Sequence, residues 1–174
     1  MKLGNLNFVP VQDRLDLIAE SVKQKVDNLS GVLVAEIDPN LADTAAFCEQ
    51  YDIGLDISAN CVVLEAKRAD KTWRATCLIL ANMRADVNGV VRKQLEARKV
   101  SFASMDTAVS LTGMEYGGIT PVGLPSDWKI LIDSAVAKLD QVVIGSGIRE
   151  SKLLVSGKLL ESLPSAQVLN ITKS

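Results

Sequence analysis

The sequence contains no histidine. This absence excludes Ser-His-Asp and Cys-His nucleophile systems, imidazole general bases and histidine-ligated metals. If the protein is an enzyme, its chemistry must come from positioned backbone donors, carboxylates, lysine or arginine, hydroxyls, or a group that the substrate itself brings.

Cysteine is scarce, and its spacing excludes further classes of site. Cys48, Cys61 and Cys77 are odd in number, form no C-x-x-C pair and have no histidine to complete a zinc site. The pattern predicts reduced, mostly buried thiols. We therefore expect no metal and no other cofactor.

Long apolar runs are also missing. No stretch approaches the roughly 18 uninterrupted apolar residues that a membrane span needs. Residues 1–10 lack the apolar core of a signal peptide. We expect a soluble, cytoplasmic protein with no membrane partner. With 174 residues and 48% hydrophobic content, the chain predicts a single domain over 1–174.

The net charge of −2 hides an uneven distribution. Residues 11–65 carry 3 basic and 11 acidic side chains, whereas residues 66–174 carry 15 basic and 10 acidic ones. The densest basic group consists of Arg84, Arg92, Lys93, Arg98 and Lys99. Such a group marks either an anionic partner or a solvated helix face, and for this group alone the second is the commoner outcome.

Short elements of both kinds alternate along the sequence without an internal repeat. Apolar spacing predicts helices over 11–28, 43–49, 86–95, 106–111 and 157–163, with a small helix or turn at 134–139. β-rich runs predict strands over 32–37, 61–66, 73–80, 100–103, 129–133, 141–144, 152–155 and 166–171, the second and third forming a hairpin. Because no regular βαβ order appears, we predict a mixed α/β, α+β-like fold. Its curved, mostly antiparallel or mixed sheet would be surrounded by helices.

The segment 112–125 is the strongest candidate for a site. It holds four glycines and two prolines between segments of regular structure. Glycine lets another backbone or a ligand approach closely, and proline fixes φ. The composition therefore predicts a stiff loop with exposed backbone N–H groups, suited to binding or catalysis. A purely structural Ω-loop is the alternative.

Three ordered motifs carry a resemblance. Thr112-Gly113-x-x-x-Gly117-Gly118-Ile119-Thr120-Pro121-x-Gly123 is followed by Ile132-Asp133-Ser134 and by Gly145-Ser146-Gly147-Ile148-Arg149. Over 43–171 the sequence resembles the YbaK family, which includes the editing domain of prolyl-tRNA synthetase and its free-standing relatives. Residues 1–40 form a helix-strand extension outside the resemblance.

The resemblance implies a function and its partners. Members of the family hydrolyse the ester that joins a wrongly attached amino acid to its tRNA. The implied ligand is the 3′ aminoacyl-adenosine end of a mischarged tRNA, and an aminoacyl-tRNA synthetase is a further candidate partner.

The resemblance also implies site residues. Backbone amides of Gly117 and Gly118 would hold the ester carbonyl and its developing oxyanion. Further substrate contacts would come from Ile119, Thr120, Pro121 and Gly123. Asp133 would hold the substrate ammonium, a cap for the following helix being the alternative.

The third motif suggests an anion site. Gly145, Ser146 and Gly147 would form a phosphate-approaching turn, with Arg149 as a bidentate clamp for the terminal nucleotide. An ordinary turn and a surface ion pair are the alternatives. Tyr116 and Trp128 could stack on the terminal adenine, although packing is the commoner outcome for such residues.

One residue departs from the family pattern. Members usually carry a lysine at the start of the strand after the second helix, where this sequence has Asn60. An amide donates hydrogen bonds but supplies no positive charge. Lys67, Arg68 or Arg74 on the neighbouring hairpin are candidate replacements. Two functions stay open: a trans-editing aminoacyl-tRNA deacylase that uses Asn60 with the loop, and a non-catalytic aminoacyl or nucleotide-binding module that has lost the lysine.

Overall fold

Two β-sheets and a short hairpin organise the computed structural model, which describes residues 1–173. The strands are β1 (Lys2–Leu3), β2 (Leu6–Asn7), β3 (Val9–Pro10), β4 (Leu33–Glu36), β5 (Ala59–Arg68), β6 (Lys71–Leu80), β7 (Lys99–Phe102), β8 (Lys129–Asp133), β9 (Val142–Gly145), β10 (Ser151–Val155) and β11 (Ala166–Leu169). The helices are α1 (Glu20–Val26), α2 (Thr44–Tyr51), α3 (Arg92–Gln94), α4 (Met105–Thr112), α5 (Ser134–Ala137) and α6 (Gly157–Glu161).

The sheets have different topologies. One is antiparallel with the order β3-β4-β10-β9, and the other is mixed with the order β11-β8-β6-β5-β7. In the mixed sheet β8 runs parallel to both β6 and β11, while β5 is antiparallel to β6 and β7. A single parallel bridge between Ser58 and Val143 joins the two sheets. The predicted mixed α/β fold is confirmed.

Alternating side chains divide the apolar residues into three clusters. The largest lies between the sheets and takes Val34, Ile144 and Leu153 from one and Leu78 and Ile132 from the other. Their neighbours along the same strands point to the opposite faces, because successive side chains of a strand alternate. There they pack under α2 on one side and under the 87–95 segment on the other.

Two predicted helices differ from the structure. In 11–28 only Glu20–Val26 is α-helical, after two short 3-10 turns at Val11–Asp13 and Leu15–Leu17. The helix cannot start earlier because Ile18 and Ala19 are extended, and the Ala19 N–H donates to the Ser146 carbonyl at 3.1 Å. In 86–95 the Asp86 carboxylate caps the helix as predicted, but the first turn, Val87–Val91, is π-helical.

The other predicted elements form close to their expected bounds. The 61–66 and 73–80 hairpin is longer than predicted, since β5 and β6 pair from Ala59 opposite Leu80 to Arg68 opposite Lys71. Gly113 ends α4 in the left-handed conformation with φ 67°, as its position after 106–111 predicted. The short strands β1, β2 and β3 were not predicted.

The glycine-rich loop is fixed by backbone contact with the turn at 145–149. The Gly147 N–H donates to the Gly118 carbonyl at 2.7 Å, and the Glu115 N–H donates to the Gly147 carbonyl at 2.9 Å. A Cβ atom on Gly118 would lie 2.6 Å from the Ile148 carbonyl oxygen, and one on Gly145 would lie 2.5 Å from the Gly118 oxygen. No side chain fits between these two segments.

We therefore expect Gly118→Ala to lower the free energy of unfolding by about 2 to 3 kcal/mol, because its methyl group would meet backbone that cannot turn aside. Gly54→Ala is the matched control. Gly54 also has an ordinary φ of −66°, but the added methyl group would meet only the movable Asp56 carboxylate. Urea unfolding should show a change within about 0.5 kcal/mol for the control. Equal losses in the two variants would contradict the packing argument.

Candidate active site

A cavity of about 350 Å³ opens where the glycine-rich loop meets the start of α2, β5 and the end of β7. Small and apolar side chains form most of its wall, and Thr44, Asn60 and Lys152 add uncharged and charged polar groups. It is lined by Ala42, Asp43, Thr44, Ala59, Asn60, Cys61, Val62, Val63, Phe102, Ala103, Ala108, Tyr116, Gly117, Ile119, Gly145 and Lys152.

Asn60 lies in this cavity with a fixed orientation. The Thr44 hydroxyl, at the first position of α2, donates to Asn60 Oδ1. The carbonyl end of the amide is therefore occupied, and its NH2 group has no acceptor within the described chain. The two N–H donors of Asn60 are therefore available to a ligand in the cavity.

The loop amides divide into occupied and free donors. The Gly118 N–H donates to the Glu115 carbonyl at 3.0 Å, and the Thr120 N–H points to the Met114 sulfur at 3.5 Å. Gly117 and Ile119 line the cavity, and within residues 1–173 their N–H groups donate to no acceptor. Of the two glycines predicted to hold the carbonyl, Gly117 thus has its amide available, whereas that of Gly118 is used within the loop.

Arg149 joins the loop to the segment before α2. Its Nε donates to the Pro39 carbonyl at 3.1 Å and its NH1 to the Tyr116 carbonyl at 2.9 Å, with the Asp43 carboxylate 3.7 Å away. The guanidinium therefore holds two walls of the cavity together. Its predicted role as a phosphate clamp stays a prediction.

Asp133 is buried away from the cavity. Its Oδ2 accepts from the Ala135 N–H and its Oδ1 from the Ile171 N–H, both at 3.0 Å. The carboxylate caps α5 and fixes the chain after β11, which is the alternative that the sequence left open. No contact in the structure brings it to the cavity, so substrate binding by Asp133 stays an unsupported prediction.

The lining of the cavity does not include four further residues that were predicted to contact substrate, namely Thr120, Pro121, Gly123 and Ser146. Pro121 and Gly123 line a separate apolar cavity of about 210 Å³ beside Trp128, which is packed in the core as the commoner outcome predicted. Thr120 is buried, and its hydroxyl has no hydrogen-bond partner among residues 1–173. The buried Ser146 hydroxyl bonds with Ser151 inside the turn. Pro121 and Gly123 therefore shape the loop, and their contact with substrate stays a prediction.

Sequence reasoning missed Lys152, which β10 brings to the cavity wall. Only 6% of the residue is exposed. Its Nζ donates to the Ala42 carbonyl at 2.8 Å and lies 5.2 Å from the centre of the Phe47 ring. Burial lowers the pKa of Lys152 to about 8. A signal did exist, since a lysine beside the apolar run Leu153, Leu154 and Val155 faces inward if the strand is covered on both faces.

The thiols are free, as predicted. Cys48 and Cys77 are buried, and Cys61 lines the cavity. Burial raises the pKa of the Cys61 and Cys77 thiols to about 12. Because the thiolate is the nucleophilic form, Cys61 is a wall residue and not an attacking group.

Two exposed aromatic side chains stand at the cavity mouth. Tyr116 is 50% exposed and Phe102, at the end of β7, is 66% exposed. Exposed aromatic faces at a cavity edge are suited to stacking on a base. Tyr116 was predicted as a stacking candidate; Phe102 was not.

A basic surface lies at the other end of β7. We call it the basic cluster, and it consists of the exposed residues Lys67, Arg68, Lys93, Arg98 and Lys99. Lys67 and Lys99 are direct cross-strand partners, an arrangement of like charges that weakens a sheet. Arg68, Lys93 and Arg98 also border one shallow surface depression with Glu96.

Lys152 should make stability depend on pH in a defined direction. Its pKa is about 8 in the folded protein and near 10.5 when unfolded, so the unfolded chain binds more protons between these values. Stability should therefore rise with pH over this window, and below pH 8 the full cost of burying the ammonium is present. Lys152→Met should remove up to about 3 kcal/mol of this pH-dependent change, measured by urea unfolding at pH 7 and 10. The exposed Lys158→Met should leave it unchanged; equal pH dependence in wild type and Lys152→Met would contradict the assignment.

Within residues 1–173, no helix combines the length and the apolar character that crossing a bilayer requires.

Comparison with solved structures supports the fold. A candidate trans-editing enzyme for prolyl-tRNA synthetase is similar, with a TM-score of 0.75 and 16% identity over 90% of this chain and 99% of that one. Hypothetical protein APE2540 is similar with a TM-score of 0.78 and 17% identity over 88% of this chain and 100% of that one. At these identities the likeness establishes the fold alone.

Comparison of the sequence with curated proteins gives no match. In contrast, residues 38–163 match the aminoacyl-tRNA editing domain family, which confirms the resemblance to YbaK proteins. Because this match spans well over half of the sequence, the protein belongs to the aminoacyl-tRNA editing domain family.

Proposed function

We propose that this protein is a trans-editing aminoacyl-tRNA deacylase, which hydrolyses the ester between a wrongly attached amino acid and its tRNA. One observation carries the proposal: Asn60, Gly117 and Ile119 line the same cavity, and within residues 1–173 the Asn60 NH2 group and the Gly117 and Ile119 N–H groups have no acceptor. Neutral donors of this kind stabilise a carbonyl oxygen as it becomes an oxyanion. Family membership supplies the class of substrate.

The cavity is suited to hydrolysis without a protein nucleophile. The sequence has no histidine, and the Cys61 thiol is held protonated by its raised pKa of about 12. Water, or a hydroxyl or thiol of the substrate itself, would then attack the carbonyl carbon. In this scheme the protein orients the ester and stabilises the charge that develops on its oxygen.

The basic cluster supports tRNA as the partner. Lys99 is about 10 Å from Phe102 along β7, so an anionic strand that leaves the cavity mouth reaches the cluster within two or three nucleotides. A solved structure of similar fold is a candidate trans-editing enzyme for prolyl-tRNA synthetase, and we extend this class of activity to the present protein.

A non-catalytic binding module is the second candidate. The observation that favours it is Asn60 itself, because an amide on β5 brings no positive charge to the ester. Such a module would keep the cavity and the basic cluster and bind aminoacyl-tRNA without releasing the amino acid.

A panel of mischarged tRNAs separates the two candidates. We expect wild type to release the amino acid from at least one of them, and Asn60→Ala to slow this release by about 10- to 100-fold. Asn82→Ala, a change at an exposed asparagine away from the cavity, is the matched control. Binding of the tRNAs without release above buffer on the whole panel would contradict the deacylase and favour the binding module.

The basic cluster should act on tRNA and not on the chemistry. Arg98→Glu with Lys99→Glu should weaken tRNA binding and lower the dependence of log Kd on log salt concentration by about one to two. Hydrolysis of a minimal aminoacyl-adenosine should be unchanged. Lys138→Glu with Lys158→Glu makes the same charge change at exposed sites elsewhere. Equal effects of the two double variants on tRNA binding would contradict a role of the basic cluster in binding tRNA.

A further inference from the structure

The family that this sequence resembles usually has a lysine at the start of β5, and this chain has Asn60 there. The sequence offered Lys67, Arg68 and Arg74 as replacements. Lys67 and Arg74 instead form ion pairs with Glu65, at 3.3 and 3.1 Å, and Arg68 donates to the Glu96 carbonyl. None of the three lines the cavity. The charge therefore cannot come from the hairpin without breaking these pairs.

Lys152 is the one lysine or arginine among the lining residues of the described cavity. It has no carboxylate within ion-pair distance in residues 1–173, and the Ala42 carbonyl is its single hydrogen-bond acceptor there. Two of its three N–H donors are left over. Burying an ammonium without a counterion is costly, and folded proteins usually pair such a group or replace it. A buried ammonium group that lines a cavity and has no carboxylate partner can bind a ligand there.

Strand register brings Lys152 level with Asn60. Lys152 pairs with Gly145 across β10 and β9, and Ser58 bridges Val143 in parallel. Continuing that bridge by two residues puts Asn60 beside Gly145. The three residues then form one row across neighbouring strands, with Lys152 and Asn60 about 10 Å apart at the backbone. Gly145 carries no side chain, and the loop carbonyls of Gly118 and Ile119 pack against it. Asn60, Gly145 and Lys152 all line the same cavity.

From this geometry we propose that Lys152 supplies the positive charge of the active site, contacting the carbonyl oxygen of the substrate ester in place of a lysine on β5. The inference rests on the proposed deacylase function. The positive charge would then come from β10, two strands away from β5. The Asn60 amide, whose oxygen accepts from Thr44, would donate to the same carbonyl oxygen.

The step that Lys152 would assist is ester hydrolysis. Water adds to the carbonyl carbon, and the carbonyl electron pair moves to the oxygen, where the Lys152 ammonium and the amide donors stabilise the negative charge. The carbonyl then reforms, and the bond to the ribose oxygen breaks. That oxygen leaves with the electron pair and takes a proton from the added water. The products are the free amino acid, as its carboxylate with one proton released, and a tRNA with a free 3′ terminus.

A charge-relocation experiment tests the proposal. Lys152→Met should lower kcat about 100-fold or more with a smaller change in KM. Asn60→Lys combined with Lys152→Met returns a cation to the row. The kcat of this double variant should be at least tenfold higher than that of Lys152→Met. Lys158→Met is the exposed-lysine control.

The pH profile supplies a readout that a structural role would not move. If the ammonium form is active, the enzymatic rate divided by the uncatalysed rate should fall as pH rises through about 8, the pKa of Lys152. Burial is the main cause of this lowered pKa, and Cys48 on α2, Arg149 before β10 and Asp43 before α2 contribute less. The fall should be absent in Lys152→Met. A rate that rises through pH 8 would instead identify a neutral lysine base and overturn the proposal.

Binding of a probe that cannot be hydrolysed tests the role of Lys152 separately from the proposed hydrolase activity. The probes are 3′-amino-3′-deoxyadenosines acylated with alanine and serine, which keep the carbonyl but resist hydrolysis. Lys152→Met should weaken their binding, and the double variant should restore it. Unchanged probe affinity in Lys152→Met, or an activity loss that Asn60→Lys does not rescue, would overturn the role of Lys152. Absence of deacylation by wild type with intact, Lys152-dependent probe binding would overturn only the hydrolase.

Discussion

The contact between two glycine-containing segments is the constraint on which the site depends. Gly118 lies against Gly145 and Gly147 with no room for a Cβ atom, so the loop 112–125 packs against this turn backbone to backbone. This contact fixes where the Gly117 and Ile119 amides stand above the end of β9. Arg149 then ties the same loop to the segment before α2. The cavity is therefore a consequence of close backbone packing.

Lys152 connects stability to function in this fold. Its burial without a carboxylate partner lowers its pKa to about 8 and costs stability at neutral pH. Asp133 shows the opposite case, since both of its buried carboxylate oxygens accept hydrogen bonds from backbone. A buried charge that is fully satisfied by the protein supports the fold. A buried charge with free donors in a cavity is the one to examine for a role in binding or catalysis.

Local patterns predicted most of the fold, because strands such as β8 and β9 are short apolar runs with clear turn signals. The helix at 11–28 was wrong because a long-range bond from Ala19 to Ser146 overrides the local apolar spacing. In the site, motif order located the loop and Asn60, but it could not separate Gly117 from Gly118, whose amide is used by Glu115. Lys152 and Phe102 reach the cavity only through strand pairing, which a linear pattern does not contain.

The most direct test of this account is a crystal structure with a 3′-amino-linked aminoacyl-adenosine bound. The account predicts that its carbonyl oxygen lies within about 3.2 Å of Lys152 Nζ and of at least one donor among the Asn60 amide and the Gly117 and Ile119 N–H groups. Its adenine should lie at the mouth of the cavity beside Phe102 or Tyr116. A ligand seated instead in the apolar cavity beside Trp128, or a carbonyl oxygen directed away from Lys152, would contradict it.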